Sequence, residues 1–205
     1  DGRLTQLSAY GQERLADERF FNWQVGYGAT QYESSRALFD ASTATANFSG
    51  SALTGRFELG QRFKVDGDST ISPFVLADVG FHSNDGYTES GTSPLRLTVQ
   101  PSDQTNAAFG LGVRSAYAPS NEWLFESRVE VAQTMSEDGS TSAQFAGGGD
   151  QFVIEPASLG DTAFGLGLGV KYNQSETVEW ALNYSAEGRR DSLDQSLKLQ
   201  WRTVF

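Results

Sequence analysis

The chain has 205 residues and a formal net charge of −11, with 22 Gly, 5 Pro and no Cys. That balance excludes a basic nucleic-acid-binding face, and the missing cysteines exclude a disulfide framework and a thiolate metal site. No run approaches the ~18 consecutive apolar residues of a transmembrane helix, which leaves membrane strands open, since only alternate residues of such a strand meet lipid. The sequence starts at Asp1 without an initiator Met or signal peptide and reads as a mature or excised fragment.

The pattern of period two predicts strands nearly throughout. A strand is expected over Leu4–Gln12, then a turn at Ala16–Glu18. From Phe21, the residues Trp23, Val25 and Tyr27 share one face, and Asn22, Gln24 and Gly26 the other. A loop rich in Ala, Ser and Thr is expected over Arg36–Ser51. Leu53, Phe57, Leu59 and Phe63 then alternate with Thr54, Arg56, Glu58 and Arg62, up to a tight turn at Asp66-Gly67-Asp68. Next, Ile71, Pro73, Val75, Ala77, Val79 and Phe81 oppose Ser72, Phe74, Leu76, Asp78, Gly80 and His82.

A polar excursion follows over Ser83–Thr105, and Phe109 to Tyr117 alternates with Gly110, Gly112 and Arg114. After a turn at Ala118–Asn121, Trp123, Phe125, Val129 and Val131 oppose Glu126, Arg128 and Glu130. A second excursion covers Ser136–Asp161. Phe164, Leu166, Leu168, Val170 and Tyr172 alternate with three glycines and Lys171; Asn173–Ser175 turns the chain; Val178, Trp180, Leu182 and Tyr184 alternate with Glu179 and Asn183. Gly188–Leu193 is expected to connect to a last strand, in which Leu197, Leu199, Trp201 and Phe205 oppose Lys198, Gln200 and Arg202.

About nine strands of about ten residues result, the length a tilted membrane strand needs. Connections alternate short and long, as in outer-membrane barrels. The fold class expected is therefore all-β, an antiparallel transmembrane β-barrel. Its lumen would be lined by Arg56, Glu58, Arg62, Asp78, Arg114, Glu126, Arg128, Glu130, Lys171, Glu179, Lys198 and Arg202. Trp23, Tyr27, Tyr117, Trp123, Tyr172, Trp180, Tyr184 and Trp201 would face lipid as an aromatic girdle. The competing reading is a soluble sandwich, with the apolar residues as a core between sheets and the charges as its solvated outside.

The chain also resembles a known family. Ala9-Tyr10-Gly11, Trp23–Tyr27 followed by Arg36, Glu58-Leu59-Gly60-Gln61-Arg62-Phe63, Ile71-Ser72-Pro73-Phe74, Tyr87-Thr88-Glu89-Ser90-Gly91 with Leu95–Val99, Leu111-Gly112-Val113-Arg114 and the strand ending in Phe205 stand in the order and spacing of the C-terminal translocator β-domain of autotransporters, the type V secretion proteins of Gram-negative bacteria. The resemblance implies a barrel of about twelve strands, of which the first three and a pore-threading linker precede this sequence, and a single domain over residues 1–205. It implies a barrel in the outer membrane that anchors and helps export an N-terminal passenger. The partners implied are membrane lipid, the barrel-assembly machinery and the passenger segment in the lumen, and Leu199, Trp201 and Phe205 would form the assembly signal. Gln200, where Gly is usual, and Thr203, where an apolar residue is usual, depart from the family pattern.

No cofactor, metal site or catalytic residue is expected. His82, the only His, stands near Asp78 and Asp85, and an outer-membrane hydrolase would need a base of this kind beside a nucleophile; no serine is placed for it. A stand-alone porin or adhesin would use the two long excursions for binding. Asp138-Gly139 and Gly149-Asp150 lack calcium-loop spacing.

Overall fold

A computed structural model of the chain describes residues 1–136, 140–155, 162–175, 177–190 and 192–203. The elements in order are β1 (Gly2–Arg14), β2 (Arg19–Ala37), β3 (Thr43–Gln61), β4 (Phe63–Lys64), β5 (Ser69–Asn84), β6 (Tyr87–Thr88), β7 (Leu97–Val99), β8 (Ser102–Tyr117), β9 (Trp123–Ser136), β10 (Thr141–Phe145), β11 (Phe152–Ile154), β12 (Thr162–Asn173), β13 (Val178–Arg189) and β14 (Ser192–Thr203). Nine long strands form one antiparallel path, β1-β2-β3-β5-β8-β9-β12-β13-β14, with β4 paired to β5. A second sheet of four strands, β11-β10-β7-β6, is built from the two long connections.

The main sheet is curled. Arg56 on β3 bonds Glu130 on β9, three positions along the sheet, at 2.9 Å. In a flat sheet those strands would stand about 14 Å apart. Side chains can close that distance only from the concave side, so the face carrying Arg56 and Glu130 is the inner one. Paired residues in a ladder share a face, and the register then assigns every long strand. Phe109, Val113, Val129, Leu168, Leu182, Leu199 and Trp201 fall on the outer face, and all are 45–68 % exposed. Those apolar rows cover no second layer. The largest buried hydrophobic side chains that pack together are Phe20, Phe74 and Leu76, on the inner face. A soluble sandwich would bury the apolar rows between sheets, so that reading is excluded.

Several boundaries differ from expectation. The loop over Arg36–Ser51 is instead the tip of a long hairpin: β2 runs to Ala37, β3 starts at Thr43, and both strands have 19 residues. Its alternation is carried by Ala44, Ala46 and Phe48, residues too small or too widely spaced to read as a strand face. The excursion over Ser83–Thr105 shrinks to 85–101 and contains β6 and β7. The excursion over Ser136–Asp161 contains β10 and β11, with residues 137–139 and 156–161 outside the described ones. Gly188–Leu193 is mostly strand, since β13 reaches Arg189 and β14 begins at Ser192.

The face assignment can be tested on β12. Leu168 faces outward, paired with Tyr184, and Gly169 faces inward, paired with Asn183. Leu168→Arg is expected to cost about 2–4 kcal/mol, the penalty of a cation at mid-bilayer. Gly169→Arg is expected to cost less once crowding against Asn183 is subtracted with Ala variants at both positions. Equal corrected losses of heat-modifiable barrel would contradict the faces.

Candidate functional site

Six charged side chains meet on the inner face. Glu58 on β3 accepts hydrogen bonds from Arg114 on β8 and Arg128 on β9, and one from Asn22 Nδ2 on β2 at 3.3 Å. Arg56 on β3 donates to Asp78 on β5 at 3.2 Å and to both oxygens of Glu130 at 2.9 and 3.0 Å. Arg128 Nε also donates to Glu130 at 2.6 Å. Three arginines therefore face three carboxylates, and the belt is neutral within itself. Glu58 is 5 % exposed and Glu130 14 %, while the arginine side chains keep 23–34 % of their surface open and Asp78 34 %. Glu58 and Glu130 are the covered members of the belt; Asp78 and the arginines are the open ones.

Aromatic rings support the guanidiniums. Arg114 lies 5.0 Å from the centre of the Phe74 ring and 5.8 Å from that of Phe20, and Arg128 lies 4.4 Å from Phe74. Such stacking favours arginine over lysine, because the planar guanidinium lies flat on a ring. Glycines make room for those rings: a Cβ at Gly60 or Gly112 would run into the end of the Phe20 or Phe74 ring. Alternation already put Phe74 and Leu76 on the polar face. The readable signal was the pairing of large inner residues with inner glycines on the neighbouring strand, Phe20 opposite Gly60 and Phe74 opposite Gly112.

The remaining charges of the expected set lie outside this belt. Lys171 on β12 pairs with Glu126 on β9 at 3.1 Å. Glu179 and Arg202 are directly opposed on β13 and β14, and Lys198 opposes Asn183, all on the inner face. Arg62 lies between β3 and β4, exposed, its backbone NH donating to the carbonyl of Glu18. With Arg114, Arg128, Glu126 and Asn183 it borders a groove of about 880 Å³ at the end of the sheet that carries the short turns.

All eight expected girdle aromatics lie on the outer face. Trp23, Tyr117, Trp123, Tyr172, Trp180 and Trp201 gather at the end with the short turns, with Trp123 and Tyr172 4.6 Å apart and Trp180 and Trp201 6.2 Å apart. Tyr27 and Tyr184 sit further along, opposite Leu53 and Leu197. Leu199 and Trp201 share the outer face of β14; Phe205 lies outside the described residues.

At the opposite end an ion pair joins the first long connection to the hairpin. Arg36 on β2 donates Nη2 to Glu89 at 2.6 Å and Nε at 3.1 Å, and also reaches the carbonyl of Leu95. Glu89 accepts the Leu97 NH at 2.7 Å and is 4 % exposed. Burial raises the Glu89 carboxyl, but the Arg36 hydrogen bonds and charge and the Leu97 NH more than offset it, and its pKa is lowered. A carboxylate depressed in the folded state adds stability above its unfolded pKa and loses it as pH falls through the folded one. The segment 85–101 is thus expected to become protease-sensitive as pH drops below the ordinary carboxylate range, and Glu89→Gln to show that sensitivity at neutral pH. A cleavage rate independent of both would contradict the latch.

His82 sits on the inner face of β5, paired with Ala52 and Gln104, and Asp78 is engaged by Arg56 rather than by His82. Among the described residues no group of His, Asp and Glu has the geometry of a metal site.

A curled antiparallel sheet with an exposed apolar outside, a charged inside, short turns at one end and both long connections at the other defines the wall of a transmembrane β-barrel. The family model for the autotransporter β-domain matches residues 1–185, and the chain belongs to the autotransporter β-domain family. Among solved structures, it is similar to the translocator domain of autotransporter NalP from Neisseria meningitidis, with a TM-score of 0.70 and 15 % identity over 100 % of this chain and 67 % of that one. It is also similar to the β-domain of the Bordetella autotransporter BrkA, with a TM-score of 0.59 and 18 % identity over 100 % of this chain and 75 % of that one. No curated protein matches it in sequence. The chain is a translocator domain of a Gram-negative outer membrane, serving export of a passenger.

Proposed function

We propose that the inner face lines a water-filled lumen through which the passenger reaches the surface, and that the ion belt is the lumen's fixed polar wall. The single observation that supports this reading most is the belt itself: three arginines and three carboxylates spanning β3 to β9 on the concave side, opposite an exposed apolar band. A neutral belt presents polar groups to a passing chain without a strong net field, so segments of either charge can move past it. No covalent step is assigned to this domain, and residues 1–205 act as one unit.

The edges of β1 and β14 have no partner strand among the described residues. Open edges are costly in lipid, where nothing hydrates the backbone. Strands outside this sequence are proposed to close the wall between them, in keeping with the share of the neighbouring barrels that the chain spans. Leu199, Trp201 and Phe205 on the last strand are proposed to be read by the barrel-assembly machinery through edge pairing.

Thiol labelling of single-cysteine variants along β12 in the full-length protein tests the lumen. Positions 167, 169 and 171 are expected to react with a membrane-impermeant reagent, and positions 166, 168 and 170 only with a lipid-soluble one. Labelling without alternation would remove the lumen from the account.

A further inference from the structure

The outer face changes its chemistry along the β2–β3 hairpin. On β2 it is apolar from Phe21 through Trp23, Val25 and Tyr27 to Ala29, and turns polar at Gln31. Beyond that point the outward rows are Gln31, Glu33 and Ser35 on β2, opposite Ser49, Asn47 and Thr45 on β3. All six are exposed. Glu33 is the one charged residue among them, although a protein face turned only to water commonly mixes charges of both signs. The two ends of the outer face also differ in their rings. All four tryptophans stand at the short-turn end, where aromatic side chains suit a phospholipid interface. At the other end Tyr32 and Phe48 turn inward and stack on each other at 4.9 Å.

The polar face is held in place. Behind it, Ala44 and Ala46 are only 1 % and 6 % exposed. The first long connection lies along the edge of β3, where Ser90 and Thr45 exchange both backbone bonds at 2.7 and 3.0 Å. One cation joins the face at its lower border: Arg3 on β1 stands directly opposite Gln31, and its side chain is exposed. The carboxylates Asp85 and Asp103 lie beyond β3, on the side away from Arg3. Across the wall the order is therefore a cation, then amides and hydroxyls, then carboxylates.

We propose that this face binds a phosphorylated glycolipid of the outer leaflet, with Arg3 on a headgroup phosphate and Gln31, Asn47 and Thr45 on the sugar. The ten steps from Phe21 to Gln31 cover about 33 Å of strand, which a tilt of about 40° turns into the ~25 Å height of an outer-membrane apolar band. That places Arg3 and Gln31 at the outer headgroups and the rest of the hairpin among the sugars. Leu7 and Tyr27, paired with each other four residues below, take the acyl chain of the same lipid. A guanidinium gives phosphate a charge-assisted, bidentate pair. Amides and hydroxyls both donate and accept, as sugar hydroxyls do. Glu33 stands outward of the phosphate level, where a sugar hydroxyl can donate to it. The fixed backbone lowers the ordering cost of binding. The inference requires the outer-membrane location and is independent of what the lumen carries.

The test places a benzophenone side chain at Gln31 or Asn47 of the full-length protein in cells, with Thr30, on the inner face at the same height, as the control. Crosslinks to lipopolysaccharide are expected from Gln31 and Asn47 and not from Thr30. The purified full-length barrel is expected to retain lipopolysaccharide through detergent washing, and Arg3→Gln with Asn47→Ala to lower that amount several-fold while the barrel stays heat-modifiable. Phosphatidylglycerol, which has a phosphate but no sugar, is expected to be retained weakly and equally by both proteins. Unchanged retention in the double variant, capture of phosphatidylglycerol as strong as that of lipopolysaccharide, equal crosslinking from Thr30, or crosslinks only to protein would overturn the proposal. A folded barrel found outside the outer membrane would instead strike at the location on which the inference rests.

Discussion

Glu58→Ala is expected to destabilise the folded barrel by about 3 kcal/mol, the lower end of the cost of removing one partner from a buried ion network. The carboxylate is almost fully covered, and its loss leaves Arg114 and Arg128 facing each other across β8 and β9, which are directly paired at that level. The guanidiniums keep some access to lumen water, which is why the upper end of the range is not expected. Glu58→Gln retains the shape and part of the hydrogen bonding but not the charge, and should fall between wild type and Ala. Urea unfolding of the closed full-length barrel in detergent measures all three. A Glu58→Ala barrel as stable as wild type would show that the belt is ornamental to the fold.

Gly112→Val is expected to cost about 3 kcal/mol, the top of the usual range for overpacking. The added Cβ would lie 2.6 Å from the Val129 carbonyl oxygen and 2.9 Å from Glu130 Cβ, and would meet the tip of the Phe74 ring. A backbone oxygen cannot swing aside, so the Phe74 ring must move, and with it the surface on which Arg128 and Arg114 stack. Phe74→Leu should restore part of the loss in the double variant, since residues in contact couple by about 0.5–3 kcal/mol. Gly167 supplies the contrast: its nearest neighbour, Arg128 Cβ, would be 3.3 Å away, and Gly167→Ala is expected to be tolerated. Similar losses at Gly112 and Gly167 would mean that glycine serves the sheet generally and not the ring.

The faces of the long strands were legible because the bilayer imposes alternation: Leu168 against Gly169, or Val129 against Arg128, can be told apart residue by residue. The same alternation sets Arg56, Glu58 and Arg128 on the face opposite their apolar neighbours, whereas Arg62 lies between β3 and β4. Which charges would touch was not legible, because contact between Arg56 and Glu130 depends on the curl of four strands, and period two carries no curvature. The hairpin beyond residue 36 is not legible in the sequence. There Ala44, Ala46 and Phe48 carry the buried face, and small residues weaken the contrast that marks a strand. The short strands β6, β7, β10 and β11 follow from pairing between distant connections, which no local pattern reveals. The Tyr87–Gly91 stretch that supported the resemblance gains a physical reason, since it holds the ring stacked on Phe48 and the carboxylate that receives Arg36.

Protease shaving of intact cells that express the full-length protein tests the central claim most directly. The account predicts a passenger cleaved from the cell surface when the domain is intact, and a passenger protected from protease when residues 1–205 are deleted. A folded, heat-modifiable barrel in the outer membrane with its passenger retained inside the cell would contradict it.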